Sequence, residues 1–264
     1  MKKHLLAIYP LFKLYRWCSQ FLYNWRYHAV VKNNGILLYE ESSVTSLHRD
    51  LLAIDLYKSL RGENDWMPGA LLPVGGAADY KILYLIARLL VDHGIHDIIE
   101  FGAGQSSILL SGFAKHSGAR VVTIEHDAAW AERVASRTQA PSHQVIHCPL
   151  TQQRSTEQGN CAWYDLSNAG ILGRQRFELL IVDGPVGLPR YSRMGIVDRF
   201  SELHADEWVV LWDDLHRVGE MQTFALFLNR LRDSGVQHRH VVVNGIKRIG
   251  IIYTRKFESV ASYF

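Results

Sequence analysis

Cysteine is scarce in this chain of 264 residues. The three cysteines, Cys18, Cys148 and Cys161, are an odd number and form no Cys-x-x-Cys pair. This pattern argues against a disulfide-stabilised secreted domain and against a cysteine-based zinc site. A reducing compartment such as the cytoplasm fits the composition best.

Long apolar runs and strong net charge are also missing. No stretch reaches the roughly 18 consecutive apolar residues expected of a membrane-spanning helix. The formal net charge is only +3, which by itself does not indicate nucleic-acid binding. Hydrophobic residues nevertheless make up 48% of the chain, enough for a globular protein with a sizeable core.

The first thirty residues are basic and aromatic, and no acidic residue occurs before Glu40. Apolar residues recur there at steps of three and four, which predicts a helix with one apolar face. These residues are Leu11, Leu14, Tyr15, Cys18, Leu22 and Trp25. Such a helix either docks on the domain or on a second subunit, or makes a peripheral contact with an anionic membrane through residues 1–30. We favour docking, because most amphipathic helices face a protein core.

From residue 77 onward, predicted strands and helices alternate, which indicates a doubly wound α/β fold with a mostly parallel sheet. The seven predicted strands span residues 96–101, 120–125, 144–148, 177–183, 208–213, 238–244 and 249–255. The last two are joined by a short link and form a C-terminal antiparallel hairpin. We therefore divide the chain into an N-terminal helical extension and connector, 1–76, and a Rossmann-like domain, 77–264.

The first predicted strand leads into a glycine turn. It ends with Glu100, Gly102 and Gly104, and a helix follows from about Ser106. Glycines let the backbone approach a ligand closely, and a helix N-terminus offers N–H groups to a carboxylate or phosphate. Ser107 stands where a dinucleotide fingerprint has a third glycine or alanine. Glu100 suits a cationic ligand group better than a pyrophosphate.

The second predicted strand ends in Glu125, with His126 and Asp127 after it. A carboxylate at this point can accept both hydroxyls of a ribose. Alternatively, Asp127 caps the next helix and Glu125 is merely exposed. Together with the glycine turn, the pattern favours a nucleoside ligand.

Carboxylates also follow the fourth and fifth predicted strands. Asp183 ends one of them, and Asp213 and Asp214 end the other, with His216 and Arg217 close behind. Adjacent carboxylates repel each other unless a cation lies near them. The pair is either catalytic or a helix cap that forms a salt bridge with Arg217.

Taken in this order, these segments resemble the class I S-adenosylmethionine (SAM)-dependent methyltransferases. The matching segments are Ile-Ile-Glu-Phe-Gly-Ala-Gly at 98–104, Val-Thr-Ile-Glu-His-Asp at 122–127, and Leu-Ile-Val-Asp-Gly-Pro at 180–185. The resemblance covers about residues 77–255. It implies that SAM binds with its methionine carboxylate against the backbone of 102–106 and its ammonium group near Glu100. The ribose would bind Glu125, with His126 beside the adenine.

A narrower resemblance is to the catechol-type O-methyltransferases, in which an Asp and an Asp-Asn pair hold a divalent cation. It implies a Mg²⁺ site at Asp183, Asp213 and Asp214. The chain departs from that pattern twice, with Asp214 in place of Asn and Val186 in place of a catalytic Lys. The residues expected to act on the acceptor are Asp183, Asp213, Asp214 and His216.

The implied reaction is O-methylation of a small molecule or glycan. Nucleic acid is not expected as a partner, because no aromatic residue follows Asp183 to stack a flipped base. The alternatives are an NAD(P)-dependent oxidoreductase and a catalytically degenerate binding or membrane-docking protein. The polar segment 151–176 is predicted to be a long loop. It either forms a lid or acceptor wall, or is anchored to the domain by Trp163 and Tyr164.

Overall fold

A computed structural model describes residues 2–38, 43–69, 71, 77–155, 159–167, 169–186 and 191–263. The α-helices are α1 (Lys2–Asn33), α2 (Ser43–Gly62), α3 (Tyr80–His93), α4 (Gln105–Ser117), α5 (Ala128–Ala135), α6 (Met194–Leu203) and α7 (Val218–Asp233), and a 3-10 helix spans Arg255–Ser262. The strands are β1 (Asp97–Phe101), β2 (Arg120–Glu125), β3 (His143–His147), β4 (Leu150–Ser155), β5 (Gly159–Tyr164), β6 (Phe177–Val182), β7 (His204–Trp212), β8 (Arg239–Val243) and β9 (Ile249–Tyr253).

Seven strands form one sheet in the order β3-β2-β1-β6-β7-β9-β8. Strands β3, β2, β1, β6 and β7, which are neighbours in the sheet, run parallel to one another. Strand β9 runs antiparallel to both β7 and β8. The predicted fold class, including the C-terminal hairpin, is therefore confirmed. The strand order reverses between β1 and β6, and at such a point the carboxyl ends of a parallel sheet border a crevice.

Apolar residues fill both faces of the central strands, as expected for a sheet covered on both sides. Alternate residues of β6 belong to two separate buried clusters: Leu180 and Val182 face one side, and Leu179 and Ile181 face the other. The first cluster lies under α6 and α7, and the second under α3 and α4. This two-sided core fixes the strand ends that carry the site.

The predicted loop 151–176 contains structure that the sequence analysis missed. Strands β4 and β5 pair as an antiparallel hairpin within it. Trp163 and Tyr164 are 1% and 0% exposed, so both anchor the segment to the domain. Trp163 packs against helix α6 at Gly195, where an added Cβ would lie 2.0 Å from the indole Cγ atom. The polar composition of residues 151–160 hid the strands, because it lacks the alternating apolar pattern expected of a half-buried strand.

Helix α1 docks on the domain, although not through the predicted face. Cys18, Leu22 and Trp25 are exposed, the latter two by 52% and 62%. Instead Tyr27 and Val31 are buried against the domain beside α7. The Tyr27 hydroxyl donates to the Leu215 carbonyl oxygen at 2.8 Å. The spacing of apolar residues does not predict this face, because its specific contacts are hydrogen bonds made by tyrosine hydroxyls.

Helix α2 packs on α3 and joins the extension to the domain. The buried Lys81 ammonium of α3 lies 2.7 Å from an Asp50 carboxylate oxygen of α2. Tyr57 and Leu60 of α2 are buried in the same cluster as the sheet residues. The boundary predicted at residues 76 and 77 stays a prediction, since 72–76 lie outside the described residues.

Candidate functional site

An open cleft of about 810 Å³ lies at the carboxyl ends of β1, β2, β6 and β7. This volume is within the range of small-molecule sites, which are about 300–1,000 Å³. The predicted site residues that line it are Gly102, Gly104, Glu125, His126, Asp183 and Asp214. The other predicted site residues, Glu100, Ser106, Asp213 and His216, do not line it. The sheet topology thus brings six of the ten predicted residues to one surface.

The glycine turn after β1 is held against the chain after β6. Gly102 has a φ of +99°, a conformation that favours glycine. A Cβ atom at Gly102 would lie 2.9 Å from the Gly184 nitrogen, and one at Gly184 would lie 2.3 Å from the Tyr164 hydroxyl oxygen. A Cβ at Gly104, by contrast, would meet nothing within 4 Å. Two glycines therefore allow tight backbone packing, and the third leaves open space for a ligand.

Glu100 lies beneath the turn, fully buried and out of the cleft. One of its carboxylate oxygens accepts hydrogen bonds from the hydroxyls of Ser107 at 2.5 Å and Thr123 at 2.8 Å. Ser107 in turn accepts from the Gly104 N–H. Burial raises the pKa of Glu100 to about 7. Glu100 thus supports the turn from below, and its predicted position near a ligand ammonium group stays a prediction.

Glu125 lies at the edge of the cleft, and its carboxylate organises both flanking segments. One oxygen accepts the Ala103 N–H at 2.9 Å. The other accepts the N–H groups of His126 at 2.7 Å and Asp127 at 2.9 Å. Asp127 also caps α5 by accepting the Trp130 N–H. Each carboxylate oxygen has two lone pairs, so the first oxygen keeps one acceptor site for a ligand hydroxyl, whereas the second is already filled.

Trp130 is a cleft residue that the sequence analysis missed. It is 41% exposed, lines the cleft, and donates from its indole N–H to the Ala103 carbonyl oxygen at 2.7 Å. The Arg133 guanidinium lies 5.8 Å from the centre of its ring. The sequence could have indicated it, because Trp130 lies three residues after the cap Asp127. That position places it on the first turn of α5, above the glycine turn. An exposed indole at this point offers a flat apolar surface to a ligand ring.

At the other end of the cleft, Asp183, Asp213 and Asp214 can place one oxygen each within 4.8 Å of one another. Asp213 is fully buried behind the cleft wall, whereas Asp183 and Asp214 border the cleft. Burial and the neighbouring Asp213 raise the pKa of Asp183 well above its ordinary value. Burial also raises the pKa of Asp213, an effect that Lys247 opposes.

Arg193 of the segment before α6 is a second residue that sequence reasoning missed. Its side chain is 1% exposed, and its Nη2 atom lies 3.1 Å from Asp214 Oδ2 and 3.7 Å from Asp183 Oδ1. The same guanidinium donates to the carbonyl oxygens of Val182 and Asp213, and it lies 3.5 Å from Glu220. A buried cation compensates the carboxylates and joins the ends of β6 and β7.

Two further cations lie against these carboxylates. Arg217 lies 2.8 Å from Asp214 Oδ2, so the salt bridge considered in the sequence exists. Lys247, from the β8–β9 turn, has its ammonium group 3.6 Å from Asp213 Oδ2 and 3.8 Å from Asp214 Oδ1. Burial alone would lower the pKa of Lys247, but these carboxylates raise it. Lys247 is distant in sequence from both acids, and only the hairpin brings it to them.

The predicted Mg²⁺ site gains no support from this geometry. Magnesium requires oxygen ligands at about 2.0–2.1 Å in a near-octahedral arrangement. Here Arg193 and Lys247 lie among the three carboxylates that would have to provide those ligands. Side-chain cations thus already provide much of the positive charge that a metal ion would supply, and the arrangement gives no support for a bound Mg²⁺ ion.

His216 lies half-buried outside the cleft, beside the docked helix α1. Its carbonyl oxygen accepts a hydrogen bond from the Tyr23 hydroxyl at 2.9 Å. Burial lowers the pKa of its imidazole. Ser106 is buried in the first turn of α4. The sequence suggested both residues by their position after a strand, but their side chains do not reach the cleft surface.

A scan against protein-family models and a search of curated proteins give no match. Among solved structures, the chain is similar to an SAH-bound methyltransferase, PaMTH1 of Podospora anserina, at 13% identity over 76% of this chain and 86% of that one, with a TM-score of 0.44. It is similar to an O-methyltransferase from Bacillus cereus in complex with SAH at 14% identity, over 81% of this chain and 100% of that one, with a TM-score of 0.46. It is also similar to a methyltransferase from Pyrococcus furiosus at 12% identity, 78% and 97% coverage, and a TM-score of 0.46.

We predict that Glu100→Gln removes a pH dependence of stability. A carboxyl whose pKa rises from 4.5 to about 7 on folding stabilises the fold below pH 4.5 and loses that contribution as the pH rises through 7. The free energy of unfolding, measured in urea, should therefore fall between pH 5 and pH 8 by on the order of 3 kcal/mol more for the wild type than for the variant. A difference between the two proteins that does not change with pH would contradict the prediction.

Arg193→Gln is expected to destabilise the protein by about 3–5 kcal/mol at pH 8, because it leaves buried carboxylates without their cation. The loss should shrink at pH 5, since carboxyls with raised pKa values then bind protons and lose their charge. Thermal and urea unfolding measure both effects. The matched control is Arg199→Gln on the exposed side of α6, which should cost less than about 1 kcal/mol. Equal losses for the two variants would show that Arg193 does not hold the cluster together.

Proposed function

We propose that this protein is a SAM-dependent methyltransferase. The observation that carries the proposal is the pairing of an open glycine turn, Gly102–Gly104, with the Glu125 carboxylate across one cleft. Together they offer a helix N-terminus for a carboxylate and an acceptor for a ribose hydroxyl. The antiparallel strand β9 and the buried Ser107 separate the protein from the all-parallel dinucleotide fold with its third glycine.

The cofactor half of the cleft extends from the glycine turn to α5. In this proposal, backbone N–H groups of 102–106 hold the methionine carboxylate, and the remaining acceptor site of Glu125 takes a ribose hydroxyl. Trp130 and His126 flank the adenine. Glu100 supports the turn from beneath without touching the ligand. When bound, SAM supplies a methyl group on a sulfonium centre that is ready for displacement.

The acceptor half is bordered by Asp183, Asp214 and the apolar side chains of Pro185 and Val186. We assign Asp183 as the proton acceptor for an acceptor hydroxyl, because its side chain is 17% exposed and borders the cleft, whereas Asp213 is fully buried. Arg193 fixes the carboxylate, and Asp213 and Asp214 hold Arg193 and Lys247 in place. The acceptor is accordingly a small molecule or glycan with a free hydroxyl, and no metal ion takes part.

In the transfer itself, the acceptor oxygen forms a bond to the methyl carbon while the carbon–sulfur bond breaks. The electron pair of that bond stays on sulfur, which leaves as a neutral thioether. The hydroxyl proton passes to Asp183, so charge and atoms balance. The protein contributes alignment of the two reactants, which is worth several kcal/mol of the barrier.

Calorimetric titration with S-adenosylhomocysteine tests the cofactor assignment. We expect micromolar binding by the wild type, no comparable binding of NADH, and at least about tenfold weaker binding by Glu125→Ala, which loses a charged hydrogen bond to the ribose. Glu132→Ala, on the exposed side of helix α5, is the control and should bind like the wild type. Tight NADH binding without S-adenosylhomocysteine binding would replace the proposal with a dehydrogenase.

Asp183→Asn tests the acceptor half. Transfer of tritiated methyl from SAM to a panel of catechols, phenols and sugars should fall by about 10²–10⁴ if Asp183 takes the proton. Binding of S-adenosylhomocysteine should change by less than about twofold, because Asp183 lies in the other half of the cleft. Addition of EDTA to the wild type should leave transfer unchanged. Full transfer by the variant would exclude Asp183 as the base. Loss of transfer in EDTA would show that the reaction requires a metal ion.

A further inference from the structure

Exposed apolar side chains are concentrated in the N-terminal extension. Of the fourteen large hydrophobic residues that are exposed in the described part of the chain, nine lie between residues 21 and 52. The rest of the described surface, with more than three times as many residues, holds only five. Scattered apolar residues are normal on protein surfaces, but a concentration of this kind marks an interaction site.

Helix α1 carries the most continuous part of this surface. Phe21, Leu22 and Trp25 are 58%, 52% and 62% exposed, and Cys18 is exposed beside them. At 100° per residue these four lie within about 100° of the helix circumference. In the sequence, the same spacing continues back through Leu11, Leu14 and Tyr15. The described part of the predicted apolar face, Cys18, Leu22 and Trp25, therefore points away from the domain, and the side chains of Leu11, Leu14 and Tyr15 lie outside the described part of the chain.

The docked face of α1 is fixed on the opposite side. Tyr27 and Val31 are buried, and the hydroxyls of Tyr23 and Tyr27 donate to the carbonyl oxygens of His216 and Leu215. These hydrogen bonds set the rotation of the helix about its own axis. The apolar face cannot turn inward without breaking them, so it stays available to a partner.

The charge of the segment indicates which partner fits. The chain has six Lys and Arg residues before Glu40 and no Asp or Glu. Arg26 and Lys32 are exposed along the described part of α1. A helix with Trp, Phe and Leu on one face and basic residues beside it suits the interface of an anionic bilayer. Among the described helices, none combines the length and apolar character needed to span a membrane.

We propose that the exposed face of α1, made by Cys18, Phe21, Leu22 and Trp25, binds the surface of an anionic membrane. The helix lies flat, its apolar side chains enter the boundary between headgroups and acyl chains, and its basic side chains contact the lipid phosphates. The proposal does not depend on the methyltransferase assignment, because it rests on α1 alone.

Cosedimentation of the full chain with lipid vesicles tests the proposal. The wild type should sediment with vesicles of equal parts phosphatidylcholine and phosphatidylglycerol, and much less with phosphatidylcholine alone. Phe21→Ser combined with Trp25→Ser should weaken partitioning at least about tenfold, since two large side chains no longer enter the bilayer. Arg26→Glu combined with Lys32→Glu should weaken it by about tenfold or more and only on the anionic vesicles.

The matched control is Val91→Ser combined with Leu150→Ser, two exposed apolar residues on the domain, which should sediment like the wild type. All substituted side chains are exposed, so unchanged melting temperatures and S-adenosylhomocysteine affinity are expected and can be checked. Equal sedimentation of wild type and Phe21→Ser/Trp25→Ser would overturn the proposal. So would failure of the wild type to bind anionic vesicles. A concentration-dependent dimer in sedimentation velocity that this variant abolishes, without vesicle binding, would assign the face to a second copy of the chain instead.

Discussion

The buried guanidinium of Arg193 is the interaction on which the geometry of the site depends most. It donates to the backbone carbonyl oxygens of Val182 and Asp213, at the ends of two neighbouring parallel strands, and forms ion pairs with three acidic side chains. Arginine suits this role because its planar group presents five donors in fixed directions. Without it, the acidic residues at these strand ends would repel one another in a region shielded from water.

A second constraint joins the two halves of the cleft. The backbones of Gly102 and Gly184 approach so closely that neither position has room for a Cβ atom, and the Tyr164 hydroxyl closes the contact from the side. The turn after β1 and the turn after β6 are therefore packed directly against each other. The spacing between the glycine turn and the acidic end of the cleft is thus fixed by contact between two backbones.

Much of this arrangement is readable from the sequence. Apolar runs ending in Glu100, Glu125 and Asp183 predict parallel strands, and a parallel sheet brings their carboxyl ends together. The roles of individual acids are not readable in the same way. Glu100 and Asp183 look alike in the sequence, yet one is buried under a turn and the other borders the cleft.

Lys247, which the sequence did not reveal, reaches the acidic end from an element distant along the chain, the β8–β9 turn. Trp130 and Arg193 are closer in sequence to predicted site residues. The cap Asp127 gives a signal for Trp130, but nothing in the sequence pattern distinguishes Arg193 from an ordinary helix residue. For α1 the helix was predictable but its docked side was not. The docked side is determined by hydrogen bonds from tyrosine hydroxyls to backbone carbonyl oxygens, and a hydrophobic pattern does not indicate where those carbonyl oxygens lie.

The attachment of the extension has a consequence for how the chain folds. Tyr57 and Leu60 belong to the same buried cluster as the strands, Asp50 pairs with the buried Lys81, and Tyr27 covers the segment that leads from β7 to α7. A shortened chain starting at residue 77 would expose that apolar surface and leave Lys81 without its closest carboxylate. These contacts cross the predicted boundary, so they would couple the unfolding of the extension to that of the sheet.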